Sequence, residues 1–279
     1  MRVRHVTRDD AHAVRQVLLQ DPVTHCFVAS RIQAANGLVD VDPWRIGGEL
    51  LGAFDQTGLR GVVYAGANLV PIQTDSAARQ ALAEHLVAGP RRSSSIVGPA
   101  EEVLDLWARL ESRWGPAREV RTDQPLLQMA EHSRVPADPA VRRVRTDELE
   151  LLLPACVAMF TEEVGISPMS GGMASAYRSR VAEIIGRGHA FARIEDDHVL
   201  FKAEIGADAN GVCQVQGVWV DPARRGEGLS VGGMAAVVEH ARASYPCVSL
   251  YVNHFNHAAR AAYSHVGFRA VGTFATVLF

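Results

Sequence analysis

Lysine is almost absent from this chain: Lys202 is the only one among 28 basic residues, and arginine supplies the rest. With 31 acidic residues and a formal net charge of −3, the balance excludes a general nucleic-acid or anionic-membrane surface and leaves room only for a local arginine patch. Cysteine is scarce as well. Cys26, Cys156, Cys213 and Cys247 are widely spaced, with no C-x-x-C and no histidine at ligand spacing. That excludes a zinc site and a disulfide framework and points to buried, reduced thiols. Long apolar runs are missing too. The most apolar helix candidate, Leu149 to Phe160, is interrupted by Glu150 and Pro154 and is too short to span a bilayer. Arg2, Arg4, Arg8, Asp9 and Asp10 deny the first residues the apolar core of a signal peptide. The expectation is a cytoplasmic protein with no metal, membrane or nucleic-acid partner.

What is present is enough apolar material, 48% of 279 residues, for two ordinary cores. Patterning predicts a strand over 2–6, a helix from the N-cap Thr7 to about residue 20, and a helix over 22–35. Strands follow at 48–54, 61–64 and 69–72, then a helix at 76–87, a strand at 95–97, a helix at 100–114 and a strand at 125–129. A polar, proline-bearing joint at 132–139 separates this series from a second with the same order. Its helices are expected at 146–161 and 172–186 and its strands at 190–195, 199–205 and 212–220. The motif V-R-x-V-x-x-D occurs at both 3–9 and 141–147, so a duplication is expected, with domains at 1–135 and 136–279.

The most informative stretch runs from Gln216 to Arg242. A strand ending Val218-Trp219-Val220 meets an Asp221-Pro222 turn, then the loop Arg225-Gly226-Glu227-Gly228-Leu229-Ser230 opens into an apolar-faced helix. Glycines leave the backbone unshielded, so successive N–H groups at a helix start can converge on a phosphate or pyrophosphate. A Walker loop is excluded because no lysine precedes Ser230, and a Rossmann fingerprint because Val231 stands where its third glycine belongs. Gly232 and Gly233, so early in a helix, imply a close packing partner. Further on come a buried strand at 248–252, Asn253-His254-Phe255-Asn256, a helix to His265, Gly267-Phe268 and a final apolar strand to Phe279.

Arg225-x-x-Gly228-x-Ser230 after that strand resembles the acetyl-CoA loop of the GCN5-related N-acetyltransferase (GNAT) family, with Ser230 in place of the usual glycine or alanine. Strand, Asn256, Tyr263 and Gly267-Phe268 resemble the family's second signature. The resemblance implies an α+β fold: two tandem domains, each a mixed, mostly antiparallel sheet flanked by helices, with a splayed parallel strand pair. It implies acetyl-CoA as co-substrate, and transfer of its acetyl group to a small-molecule or peptide amine by direct attack in a ternary complex. Val218 and Val220 would pair with the pantetheine, the amides from Gly226 through Glu227, Gly228, Leu229 and Ser230 to Val231 would hold the diphosphate, and Arg225 would support it, with Arg224 near the ribose phosphate. Asn256 would bond the pantetheine or cap its helix. Tyr263 would protonate the departing thiolate.

The base is less legible. Gln214 and Tyr251 stand where family members carry a glutamate. Glu204, expected on the polar face of its strand, is the preferred candidate; Glu162 and Glu163, in the joint between two helices, could bind a cationic amine, act through water or simply be solvated. In the first half, Gln73-Thr74-Asp75-Ser76-Ala77 takes the place of the glycine loop and has no glycine. That half is expected to be a degenerate copy, forming either a wall of the substrate cleft or a dimer or stabilising surface. A non-catalytic acyl-CoA-binding sensor is the competing class.

Overall fold

The computed structural model describes residues 1–37, 39 and 47–279. The first half gives β1 (Arg2–His5), α1 (Ala11–Gln20), α2 (Cys26–Ala34), β2 (Gly48–Asp55), β3 (Gly58–Gly66), β4 (Asn68–Ile72), α3 (Ser76–Val87), β5 (Ser95–Pro99), α4 (Ala100–Trp114) and β6 (Glu119–Met129). The second gives β7 (Arg142–Arg143), α5 (Leu149–Val164), α6 (Ala174–Gly186), β8 (Ala190–Glu195), β9 (His198–Ala209), β10 (Val212–Val220), α7 (Leu229–Arg242), β11 (Cys247–Tyr251), α8 (His257–Val266) and β12 (Arg269–Leu278). The two series correspond element for element.

The amphipathic spacing explains the helices. Val103, Leu106, Trp107 and Leu110 place the buried stripe of α4 at intervals of three and four residues, and Asp75 caps α3 by accepting the Ala78 N–H at 2.8 Å. The repeated V-R-x-V-x-x-D motif builds the same device twice. Arg4 donates to both oxygens of Asp10, which also accepts the Thr7 N–H. Arg142 donates to both oxygens of Glu148, which accepts the Arg145 N–H.

The strands among the described residues join one twelve-stranded sheet in the order β1-β2-β3-β4-β5-β12-β6-β11-β10-β9-β8-β7. Advancing every strand of one half by six reverses this order onto itself, so the sheet has an approximate twofold axis between β12 and β6. Pairing is mostly antiparallel; β4–β5 and β10–β11 are the parallel pairs. The last strands are exchanged. β6 lies between β11 and β12, and β12 between β6 and β5. Leu127 and Met129 of β6 therefore complete the core under α7 and α8, and Ala275 and Val277 of β12 complete the core under α3 and α4. Burying Leu127, Met129 and Val277 contributes about 1.5–3 kcal/mol each, so each half depends on the other for its core.

Some limits differ from the expected ones. β6 starts at Glu119, because exchange gives its leading residues partners on β12. α5 runs through Pro154 to Val164, so Glu162 and Glu163 occupy its last turn and not a joint. α2 begins at Cys26, and β9 runs on to Ala209. Among the described residues, no helix is long and apolar enough to cross a membrane. Cys26, Cys156 and Cys213 are buried free thiols and Cys247 is half-buried.

Candidate functional site

β10 and β11 pair only from Val212–Cys247 to Gln214–Ser249 and then separate. The register of β10 against β9 slips between Gln214 and Val215 and again between Gln216 and Trp219, with Gly217 at φ +60° in the left-handed region. The Asp221 N–H goes to the Leu200 carbonyl at 3.0 Å. By strand alternation, Trp219 and Asp221 face β9, while Val218 and Val220 turn their amides to the open gap.

At the end of β10 the loop turns through Gly226 (φ +86°) and Gly228 (φ +80°), conformations that favour glycine. An added Cβ at either would meet nothing within 4 Å, so the space above this loop is open. Among the described residues, the N–H groups of Gly226, Glu227, Gly228, Leu229 and Ser230 have no hydrogen-bond partner, and α7 adds its positive end. Val231 differs from expectation: its N–H folds back to the Gly228 carbonyl at 3.0 Å, so the cradle ends at Ser230. The paired glycines are explained by packing. A Cβ at Gly233 would come within 2.8 Å of the Phe201 ring, and one at Gly232 within 3.3 Å of Asp138.

The two arginines of the loop are already paired. Arg225 donates to Glu162 at 2.7 Å and to the Val220 carbonyl at 3.2 Å, and Arg224 pairs with Glu227 at 2.8 Å. Glu162 also accepts the Trp219 indole N–H at 3.2 Å, tying the end of α5 to β10 and the loop that follows it. Such exposed, solvent-screened pairs hold the arginines only weakly, so an arriving phosphate can compete for them.

Asn256 caps α8 by accepting the Ala259 N–H at 3.1 Å. Tyr263 is buried on α8, packed edge-on to Phe268 at 6.0 Å. Burial, with a smaller contribution from the Glu163 charge, raises its hydroxyl above the usual tyrosine range. It stays protonated at neutral pH and can donate a hydrogen bond to a developing thiolate. Full proton transfer to a thiolate of pKa about 8.5–10 would run uphill from this state.

Glu204 is not on a polar face, as the alternation of its strand suggests. It is buried, with Lys202 Nζ 3.2 Å from one oxygen and Gln216 Nε2 2.8 Å from the other. Burial alone would raise its pKa, but Lys202, Gln216 and Arg180 outweigh that and hold it below the usual carboxylate range. A carboxylate with both oxygens engaged and a lowered proton affinity suits a fixed anion better than a general base. Glu163 is likewise held, by Arg121 at 2.6 Å and Asn253 Nδ2 at 3.0 Å. Gln124 extends this network, donating to Asn253 and accepting from Thr276. Arg121 and Gln124 belong to the exchanged strand β6, so sequence order gave no sign of them.

On the face of the gap away from α7 and α8 lies a cavity of about 380 Å3. Gln214, Gln216 and Tyr251 of the second half wall it together with Val70, Gly98 and Phe274. Gln216 crosses Gly206 so closely that a Cβ there would lie 2.1 Å from its Cδ. A larger hollow of about 580 Å3 among Glu49, His85 and Trp114 has neither the glycine loop nor the splayed strands in its wall. In the first half, the loop that corresponds to the glycine loop is closed: Glu102 accepts the Thr74 N–H at 2.8 Å, and Asp75 takes the Ala78 N–H.

A splayed parallel pair beside an open amide loop at a helix start, with the same element order repeated in the other half around a closed loop, is a fold shared with tandem GNAT proteins. Residues 172–268 match the model of the acetyltransferase (GNAT) family, so the second half carries a GNAT domain; residues 48–152 match a domain of unknown function, DUF4081. Among solved structures, a GNAT-family acetyltransferase from Colwellia psychrerythraea is 12% identical over 100% of each chain, with a TM-score of 0.60. A GCN5-related N-acetyltransferase from Sphaerobacter thermophilus is 14% identical over 99% of this chain and 94% of its own, at 0.58. A tandem GNAT protein from the clavulanic acid biosynthesis pathway is 11% identical over 99% and 97%, at 0.51. At these identities the likeness is one of fold. No curated protein matches the chain.

Proposed function

We propose that the chain is an acetyl-CoA-dependent N-acetyltransferase acting on a primary amine of a small molecule or peptide, by direct attack in a ternary complex. The observation that carries this reading is the run of five unpartnered N–H groups from Gly226 to Ser230, with open space above both glycines. The diphosphate would rest there, with the pantetheine along Val218 and Val220 and near Asn256. The amine nitrogen attacks the thioester carbon, the C–S bond breaks, the amine's surplus proton leaves through water, and the sulfur recovers a proton to give free CoA. Tyr263 would hydrogen-bond the sulfur as its charge develops. Free amines of pKa about 8–10 are partly neutral near pH 7, so water can serve in place of a dedicated base.

The first half, 1–135, is on this reading a degenerate copy that binds no acyl-CoA, because Glu102 and Asp75 occupy its loop donors, and forms one wall of the acceptor cavity. The absence of a free carboxylate at Gln214 and Tyr251, and the engagement of Glu204, favour one competing reading, a non-catalytic acyl-CoA sensor. CoA release measured over a broad amine panel separates the two: the enzyme reading expects turnover with some amine, and acetyl-CoA binding with no turnover on any of them favours the sensor.

A further inference from the structure

The acceptor cavity has an uneven charge. Among the described residues two guanidinium groups line it, Arg31 from α2 of the first half and Arg180 from α6 of the second, and no aspartate or glutamate does; the buried Glu204 carboxylate, near enough for the Arg180 charge to act on it, lies behind Gln216 and is already held by Gln216 and Lys202. Both arginines are exposed. Neither makes a hydrogen bond or ion pair among the described residues; Arg31 only lies over the Phe27 ring, 5.1 Å from its centroid. Arg4, Arg60, Arg79, Arg121, Arg142 and Arg193 pair with carboxylates, and the arginines that do not, such as Arg2, Arg113, Arg134 and Arg143, lie outside this wall. His25, also in the wall, is held neutral by burial, which lowers its pKa.

These cations are not placed to serve the coenzyme's diphosphate. The side chains of Cys213 and Val215 point into the core beneath α7, so by alternation Gln214 and Gln216 point to the opposite face, where the cavity lies. The open amides of the glycine loop are on the α7 side. Two unpaired, forked donors in a recess of about 380 Å3 match a carboxylate or phosphate, which guanidinium binds through paired N–H bonds.

We infer that the acceptor amine carries a small oxyanion, a carboxylate or a phosphate, received by Arg31 and Arg180. The word acceptor rests on the acetyltransferase reading; the anion site does not. One half of the duplicated chain supplies each arginine, which gives the half without an open loop a role in selecting the substrate.

The test is calorimetric titration of three small amines, O-phosphoethanolamine, β-alanine and ethanolamine, into the full chain, the Arg31→Ala/Arg180→Ala variant and the Gly228→Glu variant. At least one anionic amine should bind the native chain about tenfold or more tighter than ethanolamine. That preference should vanish in the arginine double variant and survive in Gly228→Glu, and the tighter of the two anionic amines identifies phosphate or carboxylate. Arg31→Lys/Arg180→Lys, which keeps the charge and loses the fork, should retain part of it. Equal binding of all three amines, no measurable binding of either anionic one, or a preference that persists without the arginines overturns the inference. Loss only in Gly228→Glu would place the anion on the glycine loop and overturn it while leaving the coenzyme reading intact. Failure of acetyl-CoA itself to bind the native chain would remove the acetyltransferase reading and leave the anion site standing.

Discussion

Lys202, the only lysine of the chain, is buried with its Nζ 3.2 Å from Glu204 Oε2. Burial disfavours its charge, but Glu204 and Cys156 outweigh that and raise its pKa, so the pair is ionised in the folded state. Removing one member strands a buried charge at a cost of about 3–5 kcal/mol. Glu204→Gln should therefore lower the melting temperature sharply, and Lys202→Met/Glu204→Leu should recover much of the loss. A Glu204→Gln variant with native stability and abolished turnover would restore Glu204 as the base.

Tyr263→Phe should reduce kcat with little change in acetyl-CoA affinity, since the hydroxyl is assigned to the leaving sulfur and not to the bound coenzyme. Because burial raises this phenol's pKa, its ionisation should add no limb to the kcat profile between pH 6 and 9. Unchanged kcat in the variant over that range removes Tyr263 from the chemistry.

The Arg4 and Arg142 guanidinium groups hold Asp10 and Glu148 each down to about 2. Unfolded carboxylates titrate near 4, so each pair stabilises the fold above that value, and the contribution fades as pH falls from about 5 to about 2. With screening at the partly exposed arginines, each is worth roughly 1–2 kcal/mol. Asp10→Asn and Glu148→Gln should each lose about that at pH 7 and flatten the acid limb of stability, read by urea unfolding at pH 7 and pH 3. Equal sensitivity to acid in native and variant chains would contradict this.

Much of the architecture was legible because it depends on local periodicity and turn chemistry. The element order of both halves follows from helical and strand periodicity and the glycine loop from the glycines flanking Glu227, while the splayed pair was implied by the family resemblance. What stayed hidden depends on contacts distant in sequence. A strand motif does not say which sheet receives β6, so Arg121 and Gln124 had no signal. Glu204 looked solvent-facing because alternation reports which face a residue is on, not whether a helix covers that face; here α5 brings Cys156 to within 3.5 Å of Lys202. Glu162 and Glu163 fall in a joint on the sequence reading because the expected helix stops at residue 161, three residues before the observed end at Val164.

The strand exchange predicts that residues 136–279 alone will not fold to a monomer with native stability, since Leu127 and Met129 leave with the first half. Supplying 119–129 on the same chain should raise the thermal transition, measured by circular dichroism. An isolated second half as stable as the full chain would refute the dependence.

The central claim is tested most directly by calorimetric titration of acetyl-CoA into the full chain and into Gly228→Glu, with the fold of each checked by circular dichroism. The account predicts one saturable site per chain in the native protein and none in the variant, whose carboxylate would enter the open space above the amides. A native, folded chain with no affinity for acetyl-CoA, or a variant that binds it equally well, would contradict it.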